Sequence, residues 1–241
     1  HLPAPALAAL DDPRVRIFTQ DGRTFLERTA ERYDAVLLNL PDPATTQVNR
    51  YYTREFFAEV RKKLAPGGVL SFVLTGAENY ISESFSRLLA SIVWTLRDVF
   101  PPEIRVVPGA NVVVLASDAP LTVDAELLSA KITRLGLRTA YVSPAMLPFR
   151  LDPGRVDRIT LALRGAGARE KINRDLVPVS CFFQSLLWAN QFGGPGSRLL
   201  HAAAKITSFW ILDVPLAAAA LVLLVLAWGL RRSSSRFLVP I

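Results

Sequence analysis

The sequence predicts an α/β domain: a mostly parallel sheet covered by helices, closed by an antiparallel C-terminal edge, with an apolar helix far downstream. Three observations carry that prediction. Residues 12–116 alternate between short β-branched or apolar runs and longer stretches with helical spacing, as strands joined by helices do. Asp, Pro and Gly punctuate the changes at Asp12-Pro13, Asp21-Gly22 and Pro66-Gly67-Gly68. The last two apolar runs are separated only by Pro108-Gly109-Ala110, which reads as a hairpin.

In order, Val15–Thr19 is short and β-branched and reads as the first strand. Arg23–Arg32 puts Phe25, Leu26 and Ala30 on one helical face. Tyr33–Leu38 is a near-continuous apolar run, expected of a strand buried on both faces. Thr53–Leu64 is an amphipathic helix with Thr53 as its N-cap, ended by Pro66-Gly67-Gly68, and Val69–Leu74 is a second buried strand. Ser82–Phe100 repeats Phe85, Leu88, Leu89, Ile92 and Leu96 at helical spacing. Ile104–Val107 and Asn111–Ala116 form the hairpin.

Past residue 120 the pattern turns helical. Asp124–Leu135 is the best-defined helix, Pro144, Pro148 and Pro153 interrupt the stretch after it, and Gly165 and Gly167 mark a loop. Three regions result: a sheet domain over 1–120, a helical extension and linker over 121–205, and a membrane segment with a basic tail over 206–241. Val214–Leu230 carries no charge, has Trp210 and Trp228 near its ends and is stopped by Arg231 and Arg232, so it is expected to cross a bilayer. The flanking charges, Arg198 and Lys205 against Arg231, Arg232 and Arg236, are too balanced to orient it. The expected location is a bacterial inner membrane, with the globular part in the cytoplasm.

Composition narrows the function classes. Apolar residues make up 51% of the chain, enough for a packed core, and Cys181 stands alone, which excludes an internal disulfide. The net charge of +7 comes from scattered Arg and Lys without interleaved aromatics, which argues for surface and membrane-flanking charge and against nucleic-acid binding. The chain starts at His1, shows no signal-peptide pattern and is expected to have lost sequence upstream.

Three segments follow strand-like runs or open the next helix, at the strand C-termini where open α/β sheets bind ligands. Gln20-Asp21-Gly22-Arg23 offers a carboxylate that either accepts from an exocyclic amine such as adenine's or caps the next helix. Asn39-Leu40-Pro41-Asp42-Pro43 holds Asp42 between two prolines, as a ligand carboxylate or as an ordinary turn. Asn49-Arg50-Tyr51-Tyr52-Thr53 brings Tyr51 and Tyr52, which either pack over a ligand or fill core and surface.

Taken together, DPRVRIFTQDGRTFL (12–26), YDAVLLNLPDP (33–43), YYTREFF (51–57) and LAPGGVL (64–70) resemble the spermidine synthase, or polyamine aminopropyltransferase, family over roughly residues 10–120. Ile172–Pro178 is similar to an Asn-x-Asp-x-x-Pro segment of membrane-linked, transporter-fused members. The resemblance implies a Rossmann-like fold of the class I methyltransferase type, here lacking its first strands. It also implies decarboxylated S-adenosylmethionine as co-substrate, a polyamine as acceptor and no metal.

Residue by residue, it makes Asp21 and Gly22 the adenine site and Asp42 the diamine acid, with Tyr51 and Tyr52 beside the substrate. The family's first acid, which helps deprotonate the attacking amine, is Asn39 here, and an amide takes no proton at neutral pH. Thr45 and Thr46 replace the usual Gly-Pro. The glycine-rich loop and the ribose-binding acid belong before residue 10 and are not found there, so the upstream half of the domain, or fused membrane helices, is the expected partner. Three functions stay open: aminopropyl transfer by an incomplete or inactive domain, methyl transfer from S-adenosylmethionine, and nucleoside or polyamine binding that regulates membrane helices without catalysis.

Overall fold

The structure, a computed structural model, describes residues 10–76, 82–101, 103–139, 142–165 and 172–192. The elements are α1 (Gly22–Arg28), β1 (Tyr33–Leu38), α2 (Thr46–Asn49), α3 (Arg54–Lys63), β2 (Leu64–Thr75), α4 (Glu83–Val99), β3 (Glu103–Val107) and β4 (Asn111–Ser117). There follow α5 (Ala125–Arg134), a 3₁₀ turn at Pro144–Met146, α6 (Leu147–Arg150), α7 (Pro153–Gly165) and α8 (Val179–Phe192). The chain divides into two compact units after Trp188.

Helix starts follow local chemistry. Asp21, Thr53, Ser82 and Asp124 each accept a hydrogen bond from the backbone N–H three residues on, satisfying a donor that the first turn leaves orphaned. Pro144 and Pro153 open helical turns, where a missing N–H costs nothing, so the proline-rich stretch is helical and not simply broken. α8 forms inside the stretch read as linker.

The sheet order is β1-β2-β4-β3. β1 and β2 are parallel, while β2–β4 and β3–β4 are antiparallel, so among the described residues the sheet is mixed and not mostly parallel. The difference begins at residues 15–19. They form no paired strand, and Val15, Ile17 and Phe18 are 43%, 63% and 52% exposed. A β-branched run favours extended backbone, but a strand exists only where a neighbouring edge takes its hydrogen bonds. β1 departs for a related reason. It is the sheet's edge among the described residues, and Leu37, expected inside, is 74% exposed.

Pro66-Gly67-Gly68 does end α3, yet it lies inside β2. The pairing slips there, from Tyr33 opposite Leu64 to Ala35 opposite Val69. Gly67 sits at φ +76°, and a Cβ at Gly68 would come within 2.9 Å of the carbonyl oxygens of Ala65 and Tyr33.

One sheet face makes the core. Leu70, Phe72 and Leu74 of β2 stand opposite Ala116, Val114 and Val112 of β4, and all six are buried. Phe57 of α3 stacks on Phe72 at 5.9 Å, and Tyr52 meets Phe72 edge-on at 5.4 Å. Burying such side chains is worth about 1.5–3 kcal/mol each, which fastens α3 and the residues just before it to the sheet. Phe85, Leu88, Leu89, Ile92 and Leu96 of α4 are buried as their spacing predicts. Among the described residues no helix is long and apolar enough to cross a membrane; Val214–Leu230 lies outside them.

Candidate functional site

α1, β1 and residues 49–56 surround an apolar cleft of about 390 Å³, walled by Phe25, Leu26, Val36, Leu38 and Phe56. Gly22, Asn39 and Tyr51 also line it, which brings together three of the six residues singled out from the sequence. Asp21 stands next to Gly22 and is bonded to Tyr51.

Asp21 is both a cap and the centre of a polar cluster. Its carboxylate accepts from the Thr24 N–H (3.0 Å) and hydroxyl (3.2 Å), from the Arg50 guanidinium (2.7 Å) and from the Tyr51 hydroxyl (2.8 Å). Donation from the Thr24 amide, then from Tyr51, holds the Asp21 carboxyl well below its usual range, at about 2, and the charge of Arg50 adds to this. Burial and the neighbouring Asp21 push the Tyr51 phenol up. Arg50 also lies over the Tyr51 ring at 5.3 Å, so the three side chains fix one another. A ligand amine that donates to Asp21 therefore competes with donors already in place.

The other sequence candidates go elsewhere. Tyr52 is fully buried in the core and donates to the Pro41 carbonyl at 3.0 Å; burial and the charge of Asp42 raise its pKa. Asp42 accepts from the Thr75 N–H at 2.9 Å through Oδ1, tying the loop after β1 to the end of β2. Thr45 caps α2 by accepting from the Val48 N–H at 3.3 Å, giving the Thr pair a local role. A Cβ on Gly22 would meet Tyr51 at 3.9 Å, ordinary contact, so packing does not require glycine there. The described residues contain no group of three His, Cys, Asp or Glu side chains able to hold a metal.

Sequence reasoning missed how the far C-terminal turn reaches this cluster. Asn173 is fully buried. Its Nδ2 donates to Asn49 Oδ1 (3.0 Å) and to the Tyr52 carbonyl (2.8 Å), and its Oδ1 accepts from the Ser180 N–H (3.2 Å). Its backbone is held by the Thr95 hydroxyl and the Arg54 N–H. Two residues on, Asp175 takes two hydrogen bonds from Arg23 (2.9 and 2.7 Å) and one from the Thr53 hydroxyl (2.7 Å). Arg23 then holds the Asp175 carboxyl below its usual range. The signal was the Asn-x-Asp-x-x-Pro spacing, which carries no indication of what it touches.

A mixed α/β domain with an acid-capped helix and an apolar cleft along the edge strand β1 is the class that this fold and site define. Residues 2–116 match the family model "Spermine/spermidine synthase domain", and this part of the chain is similar to that family. Among curated relatives, a polyamine aminopropyltransferase of Nitrosomonas europaea is 36% identical over 144 residues, covering 56% of this chain and 42% of the relative. One from Korarchaeum cryptofilum is 41% identical over 70 residues, covering 29% of this chain and 22% of the relative. The chain thus spans less than half the length of either. The crystal structure of spermidine synthase from Thermotoga maritima aligns at 21% identity with a TM-score of 0.46, covering 63% of this chain and 52% of that one.

Proposed function

We propose that this protein is aminopropyltransferase-like, moving the aminopropyl group of decarboxylated S-adenosylmethionine to a polyamine, and that Val214–Leu230 holds it at a membrane with its globular part in the cytoplasm. The observation that supports this best is Asp21 with Gly22 and Tyr51 at an apolar cleft, within the segment that matches the family. In this reading the cleft takes the flat adenine ring and Asp21 accepts from its amine. The polyamine nitrogen attacks the carbon beside the sulfonium, the C–S bond breaks with its electron pair left on sulfur, and the amine gives up a proton.

Asp42 is the acid for the polyamine. Its Oδ1 is used by Thr75, while Oδ2 has no hydrogen-bond partner among the described residues and is available to an ammonium group. A second reading, binding without transfer, is favoured by one residue. Asn39 lines the cleft where the family's proton-taking acid belongs.

An assay with decarboxylated S-adenosylmethionine and putrescine, paired with calorimetry of putrescine and spermidine, separates the readings. Polyamine binding that falls about tenfold or more in Asp42→Asn supports the amine site, since one charge-assisted hydrogen bond is worth about 1.5–3 kcal/mol. Product formed by Asn39→Asp but not by the parent assigns binding without catalysis to the natural chain. No polyamine affinity in any of the three proteins refutes both. Recovery of the full chain in the soluble fraction without detergent refutes the membrane span.

A further inference from the structure

We propose that Asp175 is a positioning residue for the candidate site: by gripping Arg23 and Thr53 together, it holds residues 50–53 so that Arg50 and Tyr51 share the carboxylate of Asp21. Asp175 lies outside the 2–116 family match, 152 positions along the chain from Arg23. Arg23 meets it with two parallel N–H···O bonds, the geometry that makes an arginine–carboxylate pair directional and strong. The Arg23 side chain is only 16% exposed, so water screens the pair less than it screens an ordinary surface pair.

The hold extends inward from there. Arg23 also donates to the Arg50 carbonyl at 3.3 Å, and the Thr53 hydroxyl points its proton at Asp175. One carboxylate thereby ties α1 to both ends of the 50–53 segment, and Arg50 and Tyr51 from that segment reach back to Asp21 at the start of α1. Asp175 is itself held, because its N–H donates to Glu55 Oε2 at 3.1 Å and Asn173 is locked into the core two residues before it. Without Asp175, the carboxylate left to Arg23 is Glu27, one turn along α1.

The effect on Asp21 follows from these contacts alone, whereas any effect on a ligand rests on the nucleoside reading above. The test uses the full chain with Asp175→Asn, which keeps the shape and removes the charge. Arg23→Lys, which keeps a charge but loses the fork, is the milder second variant should the first fail to fold. The carboxyl of Asp21 is titrated by carbon-detected NMR, and adenosine binding is measured on the same samples.

In both variants the Asp21 pKa is expected to rise by about one unit as Arg50 and Tyr51 loosen, while Thr24 keeps capping α1. Adenosine affinity is expected to fall about tenfold. A melting temperature that drops while Asp21 titrates as in the parent would show that the turn only braces the fold, and the proposal would be wrong. If Asp21 moves as expected but adenosine binds none of the proteins, parent included, the positioning role stands and the nucleoside reading fails.

Discussion

Replacing Asn173 by alanine should cost about 3–4 kcal/mol of stability, a large effect for a polar residue in a connecting turn. The magnitude comes from the groups that the amide leaves behind. Asn49 Oδ1, the Tyr52 carbonyl and the Ser180 N–H each lose their bond to it, and Asn49, Tyr52 and Ser180 are all buried. A buried group left unpaired costs about 1–3 kcal/mol, and water entering the vacated space recovers part of that. Asn173→Asp sharpens the test. It keeps the acceptor for Ser180, loses both donors and turns a negative charge on the Tyr52 carbonyl, so it should be at least as costly. Urea denaturation of parent and variants measures the difference from the midpoint at constant slope. A loss under about 1 kcal/mol for Asn173→Ala would refute this account and show that the 172–178 turn is not anchored through its amide.

Three further outcomes are expected. Because Asp21 is more acidic folded than unfolded, its contribution to stability is present above about pH 4 and lost as pH falls toward 2; solvent screening keeps it to about 1 kcal/mol. Acid denaturation curves should therefore separate parent from Asp21→Asn above about pH 4 and converge below, and parallel curves would refute it. Gly68→Ala should lower stability by about 2 kcal/mol, since its Cβ meets two backbone oxygens at 2.9 Å, whereas Gly22→Ala should change it by about 0.5 kcal/mol or less; equal melting temperatures would contradict that contrast. Gly22→Ala is then a clean probe of the cleft, and unchanged adenosine affinity in it would argue against an adenine site at Gly22.

Much of the fold was legible because its signals are local. The apolar face of α4, the Thr53 cap and the β3–β4 hairpin depend on spacings of a few residues, and each formed where the spacing put it. For Asp21 the sequence offered ligand acid or helix cap as alternatives; the structure shows the cap and adds Arg50 and Tyr51 as partners. Residues 15–19 and Leu37 misled because an apolar β-branched run states a preference for extended backbone and says nothing of its neighbours.

By itself, then, the sequence determined the helices α1, α3, α4 and α5, the hairpin and the order of the family-like acids and aromatics along the chain, since propensity, capping and periodicity act over one or two turns. Only the tertiary structure decided that Tyr52 faces the core while Tyr51 faces the cleft. It likewise decided that Asp42 binds the Thr75 amide, 33 residues on, and that Asn173 and Asp175 close on residues 49–55 from more than a hundred residues away. Such contacts form only after the sheet and α3 have packed, because packing is what brings distant chain segments together and makes an unpaired polar group costly there.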